Sequence, residues 1–526
     1  MSLADENSEV TVRTGLEACA WAVVHGYDHW ALVGGEGARR LGGCVEAIAD
    51  GRARPVEGRG EGALRAAQGL AAAGRSVALL ASGSALAEVL DAFHDLCREG
   101  LPVVLLVPSH GAETGRSAPS PELTDLALVL DLPAGALVAA SAHELVAFTL
   151  AACRASRDRQ APWVVAFELS AVGLSYSAVT LPDPERVRAF LAVPGGSSAL
   201  PAMVAEDASA ELARGVSRYG FALGAALRDL AREAQVSASG FAAEGARDAS
   251  VALVASGAGA RWFEPAFLGK DAATVTRVRV SSWRPFPSVE VARTIWRARA
   301  VVVLESLPTA VGSGGRLSDT VKAALADAIS WHPGFSGIGR VPPVVALRPS
   351  GEVTDPGVWR AALRAVDVGE PPRCLVAGFA GTFTRIAVAL EEPARDPVVR
   401  AAVRWLAQAG RAVAAFGHEP GAAELVVPGR SAFRVLVADH PEALRWEHRG
   451  LGPGSVVLWL GAEAPSEAVA RVTAWGARWV ALPVGPEHHA AAVLGALTAR
   501  GGAAALELPP ALAAVAGRVA RALEPQ

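Results

Sequence analysis

The chain has 526 residues, too many for one ordinary hydrophobic core, and at ~150 residues per domain it suggests about three domains. Its 49 Lys and Arg against 53 Asp and Glu leave a net charge of -4, and a pI near 6.3 makes no electrostatic case for nucleic acid or an anionic membrane surface. Five cysteines (Cys19, Cys44, Cys97, Cys153, Cys374) stand singly, without a CxxC, so local spacing assembles neither an iron–sulfur cluster nor a cysteine zinc site.

The acidic, polar start "MSLADENSEV" is no secretory signal, and apolar runs such as "VVLLV" (103 to 107) are too short to cross a bilayer. A cytoplasmic protein without membrane insertion is expected, its cysteines held as buried free thiols. From residue 1 to about 185, the runs "WALVGG", "SVALLASG", "PVVLLVPS" and "WVVAFELS" alternate with alanine-rich segments of helical spacing. That alternation predicts a parallel sheet covered by helices on both faces. Residues 186–247 read as a helical linker or arm, interrupted by "VPGGSSALPAM". A second alternating unit, 248–370, carries "VALVASGAGA" (251 to 260), "TVTRVRVSSWRPFP" (274 to 287) and "AVVVLESLP" (300 to 308), with turn residues at the strand ends where open α/β sheets place ligands. A third, 371–526, runs from "CLVAGFAGTFTRIAVAL" through "AFRVLVADHPEALRW" and "GSVVLWLGAEAP" to "WVALPVG" and a last alanine-rich helix. The predicted fold class is three α/β domains in series.

The order and wording of these units resemble the 2-oxoacid:ferredoxin oxidoreductases, the family of pyruvate and indolepyruvate:ferredoxin oxidoreductases. The stretch from "SVALLASGSALAEVL" to "WVVAFELS" is similar to the family's pyrimidine-binding domain. "RVSSWRPFPSVEVARTIWRARAVVVLESLPTAVGSGGRLSDTVKAAL" resembles its transketolase C-terminal-like domain and is the most specific match. The last unit resembles the gamma domain in outline, with "GFAGTF" (378 to 383) in place of its "GxGGQG" start. The resemblance implies a subunit of an oxidoreductase complex that oxidatively decarboxylates a 2-oxoacid to an acyl-CoA. Thiamine diphosphate would lie at an interface with a partner chain. A GDG motif is absent, so magnesium and the phosphates would be held by a diphosphate-binding, GDG-bearing subunit, and iron–sulfur clusters by a ferredoxin-type subunit. A hetero-oligomer is expected.

In this family a glutamate hydrogen-bonds a ring nitrogen of the aminopyrimidine, a task that needs a desolvated and closely positioned carboxylate. The resemblance places it nine residues before a helix glycine. Anchored on Gly69 in "EGRGEGALRAAQG", the pattern puts Gly60 there and Glu61 one residue late, a helical rotation of about 100°. Glu61 is the candidate for catalysis and cofactor binding if the first turn is shorter by one residue. The alternative is that Glu57 and Glu61 complement the helix macrodipole. The family's "YPxTP" threonine is replaced by "LVGGEGARR" (32 to 40). Arg116, in "GAETGRSAP", falls where some family members bind the substrate carboxylate, and a guanidinium suits that group; the alternative is a solvated loop arginine. "GSGGR" (312 to 316) would either cradle a phosphate or form a plain glycine turn. The pairs "DH" (439 to 440), "EH" (447 to 448) and "HH" (488 to 489) lack zinc-helix spacing.

Two alternatives stand beside the oxidoreductase subunit. One is a catalytically silent structural paralogue that keeps the assembly surfaces, and the other is a transketolase-like or decarboxylase-like thiamine enzyme subunit.

Overall fold

The valine-rich runs of the first third become strands: β1 Val10–Thr14, β2 His29–Gly34, β3 Arg54–Pro55, β4 Val77–Ala81, β5 Val103–Ser109, β6 Gly135–Val138, β7 Trp163–Glu168 and β8 Tyr176–Thr180. Between them lie α1 Gly15–Gly26, α2 Glu36–Ile48, α3 Gly60–Ala72, α4 Gly83–Glu88, α5 Leu90–Arg98, α6 Thr124–Val129 and α7 Ala142–Arg159. The computed structural model describes residues 10–109, 123–192, 208–246, 248–306, 315–331 and 341–349, then 374–377, 383–389, 395–408, 414–418, 422–428, 433–439, 455–461, 466–474, 477–484, 488–498 and 510–523. The chain divides into two units: one of residues 1–9, 15–173 and 180–379, the other of 10–14, 174–179 and 380–526.

The first unit contains two sheets. One has seven strands in the order β12-β6-β7-β5-β4-β2-β3, where β12 is Ser282–Arg284. All neighbours are parallel except β12, which runs antiparallel to β6. Its central strands β4, β5 and β7 are buried along their whole length, which is why they read as unbroken apolar runs rather than as an alternating pattern. The other sheet, of six strands, combines β9 Phe241–Gly245, β10 Val251–Ala255, β11 Val275–Val280, β13 Ala300–Leu304, β14 Val344–Pro349 and β15 Cys374–Ala377 in the order β15-β14-β13-β10-β11-β9. Only β9 is antiparallel to its neighbour. The chain is thus α/β with parallel sheets, as its periodicity requires.

The segment "SSWRPF" joins these sheets. β12 follows β11 directly yet pairs with β6 of the seven-stranded sheet. The Arg284 guanidinium donates to the carbonyls of Leu130 and Leu132 beyond α6, and Trp283 Nε1 donates to Ser256 Oγ at 2.7 Å. Arg and Trp at this strand end therefore satisfy buried or half-buried polar groups on both sides of the junction.

In the second unit β16 Phe383–Ala389, β17 Ala414–His418, β18 Ala422–Pro428, β19 Phe433–Ala438, β20 Val456–Trp459 and β21 Arg478–Ala481 form a sheet ordered β17-β18-β16-β19-β20-β21. β16, β19, β20 and β21 are parallel. β1 and β8 pair as a ribbon that belongs to this unit. Val12 and Tyr176 enter the core built around Val399, Leu406, Val435 and Leu458. Arg400 seals the contact, donating to the Val12 carbonyl at 2.9 Å and stacking 5.1 Å from the Tyr176 ring. Among the described residues no helix is long and apolar enough to cross a membrane, and none group as three or more metal-ligating side chains.

Candidate functional site at the carboxyl edge of the seven-stranded sheet

Because β2, β4, β5 and β7 are parallel, their last residues share one edge, where open α/β sheets bind ligands. β2 ends in Gly34, and Gly35, with φ 94°, caps the start of α2. A side chain at Gly35 would lie 2.0 Å from the Ser82 carbonyl oxygen, so only glycine lets β2 and the turn after β4 come this close. Ser82 ties the two together: its N–H donates to Gly34 O at 3.0 Å and its Oγ accepts from Ala38 N at 3.1 Å. "LVGGEG" thus forms the end of β2 and the start of α2. Glu36 opens α2, and its carboxylate accepts from Arg39 at 2.9 Å and Arg40 at 3.0 Å. Those two hydrogen bonds hold its pKa below the usual value.

α3 begins at Gly60, with φ 56°, a left-handed conformation glycine adopts without strain. Glu61 lies in the first turn. Its carboxylate is 63% exposed and accepts from Arg65 Nε at 3.2 Å, while Arg65 also reaches Asp95 at 3.4 Å and Gln68 at 3.2 Å. Gln68 in turn donates to Glu99 at 2.6 Å. Glu61 is therefore one end of a polar network running over α3 and α5. Glu57 is exposed ahead of the helix. Arg116 lies outside the described residues, as do residues 312–314 of "GSGGR", 378–382 of "GFAGTF", His440, Glu447 and His448. His489 is buried, with Nε2 3.3 Å from Val484 O and Nδ1 3.9 Å from an Asp439 oxygen.

Sequence reasoning missed four buried carboxylates among the described residues, Asp125, Glu144, Glu168 and Glu305. Asp125 accepts from Gly83 N at 2.9 Å, and its own N–H donates to Ser109 Oγ at 3.2 Å. Glu168, the last residue of β7, accepts from Ala258 N with both oxygens at 3.1 Å, and burial pushes its pKa up to about 7. Glu305, one residue beyond β13, accepts from Leu317 N at 3.2 Å and Ser318 N at 2.7 Å; burial raises its pKa as well. Donors from the six-stranded sheet's side serve acceptors on the seven-stranded sheet's side here. Arg261, from the turn after β10, donates to Ala140 O at 2.9 Å and Ala171 O at 3.3 Å, and Arg279 pairs with buried Glu144 at 3.1 Å. A signal was present: both "VVAFELS" and "VVVLESL" close an unbroken buried run with an acid followed closely by serine.

Residues 45–210 match the family described as pyruvate flavodoxin/ferredoxin oxidoreductase, thiamine diphosphate-binding. The matched segment, about a third of the chain, is similar to the thiamine diphosphate-binding domain of that family. Among solved structures, a 2-oxoglutarate:ferredoxin oxidoreductase from Magnetococcus marinus, with 2-oxoglutarate, coenzyme A and succinyl-CoA bound, is similar at 16% identity and a TM-score of 0.49. The match covers 66% of this chain and 64% of that one, under two thirds of its length. A split-gene transketolase, an inactive β4 tetramer, is similar at 15% identity and a TM-score of 0.38, over 66% of this chain and 93% of that one. No curated protein matches the sequence significantly.

An aminopyrimidine bound at this edge needs a carboxylate taken out of water. In this chain the Glu61 carboxylate is exposed and engaged by Arg65, and Gly34 and Gly35 offer no hydroxyl. The described residues of this edge do not by themselves fit that ring.

Proposed function

We propose that the chain is a subunit of a 2-oxoacid:acceptor (ferredoxin) oxidoreductase-like complex in which its pyrimidine-type domain serves assembly and is silent in proton transfer. The observation that carries this reading is the start of α3. Glycine with φ 56° stands where the family's glutamate is expected, and the adjacent Glu61 is exposed and held by Arg65. The proposed partners are a diphosphate-binding, GDG-bearing chain, which would hold magnesium and the phosphates, and a ferredoxin-type chain with the iron–sulfur clusters. The complex is proposed to be a cytoplasmic hetero-oligomer. Co-purification through a tag on this chain tests the assembly: partners with iron–sulfur absorbance support it, and recovery of this chain alone argues against it.

A second reading is favoured by the place of Glu61 in the first turn of α3, at the ligand-binding edge of a sheet whose family binds thiamine diphosphate. Here a partner surface would cover Glu61, detach it from Arg65 and turn it to the aminopyrimidine, with Arg116 binding the 2-oxoacid carboxylate. When bound, the cofactor supplies the electron sink for decarboxylation. Glu61→Gln in the assembled complex separates the readings. Unchanged 2-oxoacid-dependent electron transfer supports the silent subunit, and a loss on the order of 100-fold supports the second reading.

A further inference from the structure

The helix Arg316–Trp331, 16 residues long, is preceded by Gly315, and a helix start of this kind in other proteins receives phosphate on free backbone amides. Here those amides are taken. Glu305 projects from the end of β13 across Gly315, where an added Cβ would lie 1.8 Å from the carboxyl carbon. One of its oxygens accepts from Leu317 N at 3.2 Å and the other from Ser318 N at 2.7 Å. A third amide, Gly315 N, donates to Ser318 Oγ at 2.8 Å. Glu305 is itself only 7% exposed, so the contact is an interior one, with the helix dipole favouring a negative charge at this point. Arg316, which could flank an incoming anion, is committed to Asp131 and to Ala127 O. Two further turns past strand ends are filled alike, the one at Gly83 by Asp125 and the one at Ala258 by Glu168.

We infer that Glu305 is the resident anion of this helix start and closes it to phosphate-bearing ligands of the diphosphate or coenzyme A type. The inference stands apart from the silence of Glu61, because it concerns a different sheet and a different ligand group. Its consequence for a complex is that phosphates bind on partner chains or on other surfaces.

The test uses the full-length chain and pyrophosphate as the probe. Amide hydrogen exchange at Leu317 and Ser318 is expected to be the same in the wild-type protein with and without pyrophosphate. Added protection at these two amides would overturn the inference. Glu305→Ala, checked for folding by circular dichroism, is expected to bind pyrophosphate about tenfold or more tightly than wild type does, with new protection at the same amides. Glu305→Gln fills the same space and is expected to show no gain. A folded alanine variant with no gain would also overturn the inference. If that variant does not fold, the exchange measurement on the wild type decides.

Discussion

Glu168 ends β7 of the seven-stranded sheet, Ala258 lies in the turn after β10 of the six-stranded sheet, and both Glu168 carboxylate oxygens are 3.1 Å from the Ala258 N–H. Burial raises the pKa of Glu168 from 4.5 to about 7, because backbone N–H groups and the nearby Arg261 charge only partly repay taking the carboxylate out of water. Below pH 4.5 both folded and unfolded chains hold the proton, and burial of this group carries no ionisation cost. Between 4.5 and about 7 the unfolded chain ionises first, so stability falls as pH rises, and above 7 the full cost is present. Glu168→Gln removes this cost. Its stability relative to wild type is expected to improve by on the order of 2–3 kcal/mol between pH 5 and pH 8, read from urea unfolding at the two values. Parallel curves for both proteins would contradict the assignment.

Two glycines separate backbone strain from crowding. Gly257 has φ 63°, and a Cβ there would meet a Glu168 oxygen at 2.4 Å; Gly83 has φ 60° with nothing within 4 Å. Gly83→Ala is expected to cost about 1 kcal/mol, for the left-handed conformation alone. Gly257→Ala is expected to cost roughly 2–3 kcal/mol, since it also displaces the buried carboxylate. Chemical denaturation of both variants checks the order, and equal losses would remove Glu168 from the explanation.

Much of this fold is visible in the valine runs. β2, β4, β5, β7, β10, β11 and β13 fall on segments that composition marks as strands, because buried parallel strands are apolar throughout. Shorter pieces are not visible: β3 has two residues and β12 three, too few to show a period. The β1–β8 ribbon is also hidden, since its place in the second unit depends on Arg400, 388 residues from Val12. The candidate site was legible only in part. Glu61 stands four residues before Arg65, a spacing that forms ion pairs on helices, so its pairing could have been read from "EGALR". Burial of Glu168 depends on an amide 90 residues away, and no local pattern specifies that partner.

Arg284 bears on the junction of the two sheets of the first unit. Its guanidinium spans the carbonyls of Leu130 and Leu132, a geometry lysine cannot copy with one ammonium group. Arg284→Lys is expected to lower stability by about 1–3 kcal/mol and to speed proteolysis after α6, as read by limited digestion. Unchanged digestion would show that β12 pairing alone holds the junction.

The start of α3 decides between a silent and a working pyrimidine-type domain. The most direct test is 2-oxoacid-dependent electron transfer by the complex isolated through this chain, compared between wild type and Glu61→Gln under matched loading of thiamine diphosphate. The silent-subunit reading predicts rates within about twofold of each other, an exposed ion pair of this kind contributing little. A loss on the order of 100-fold would contradict it and make Glu61 the working acid of the site.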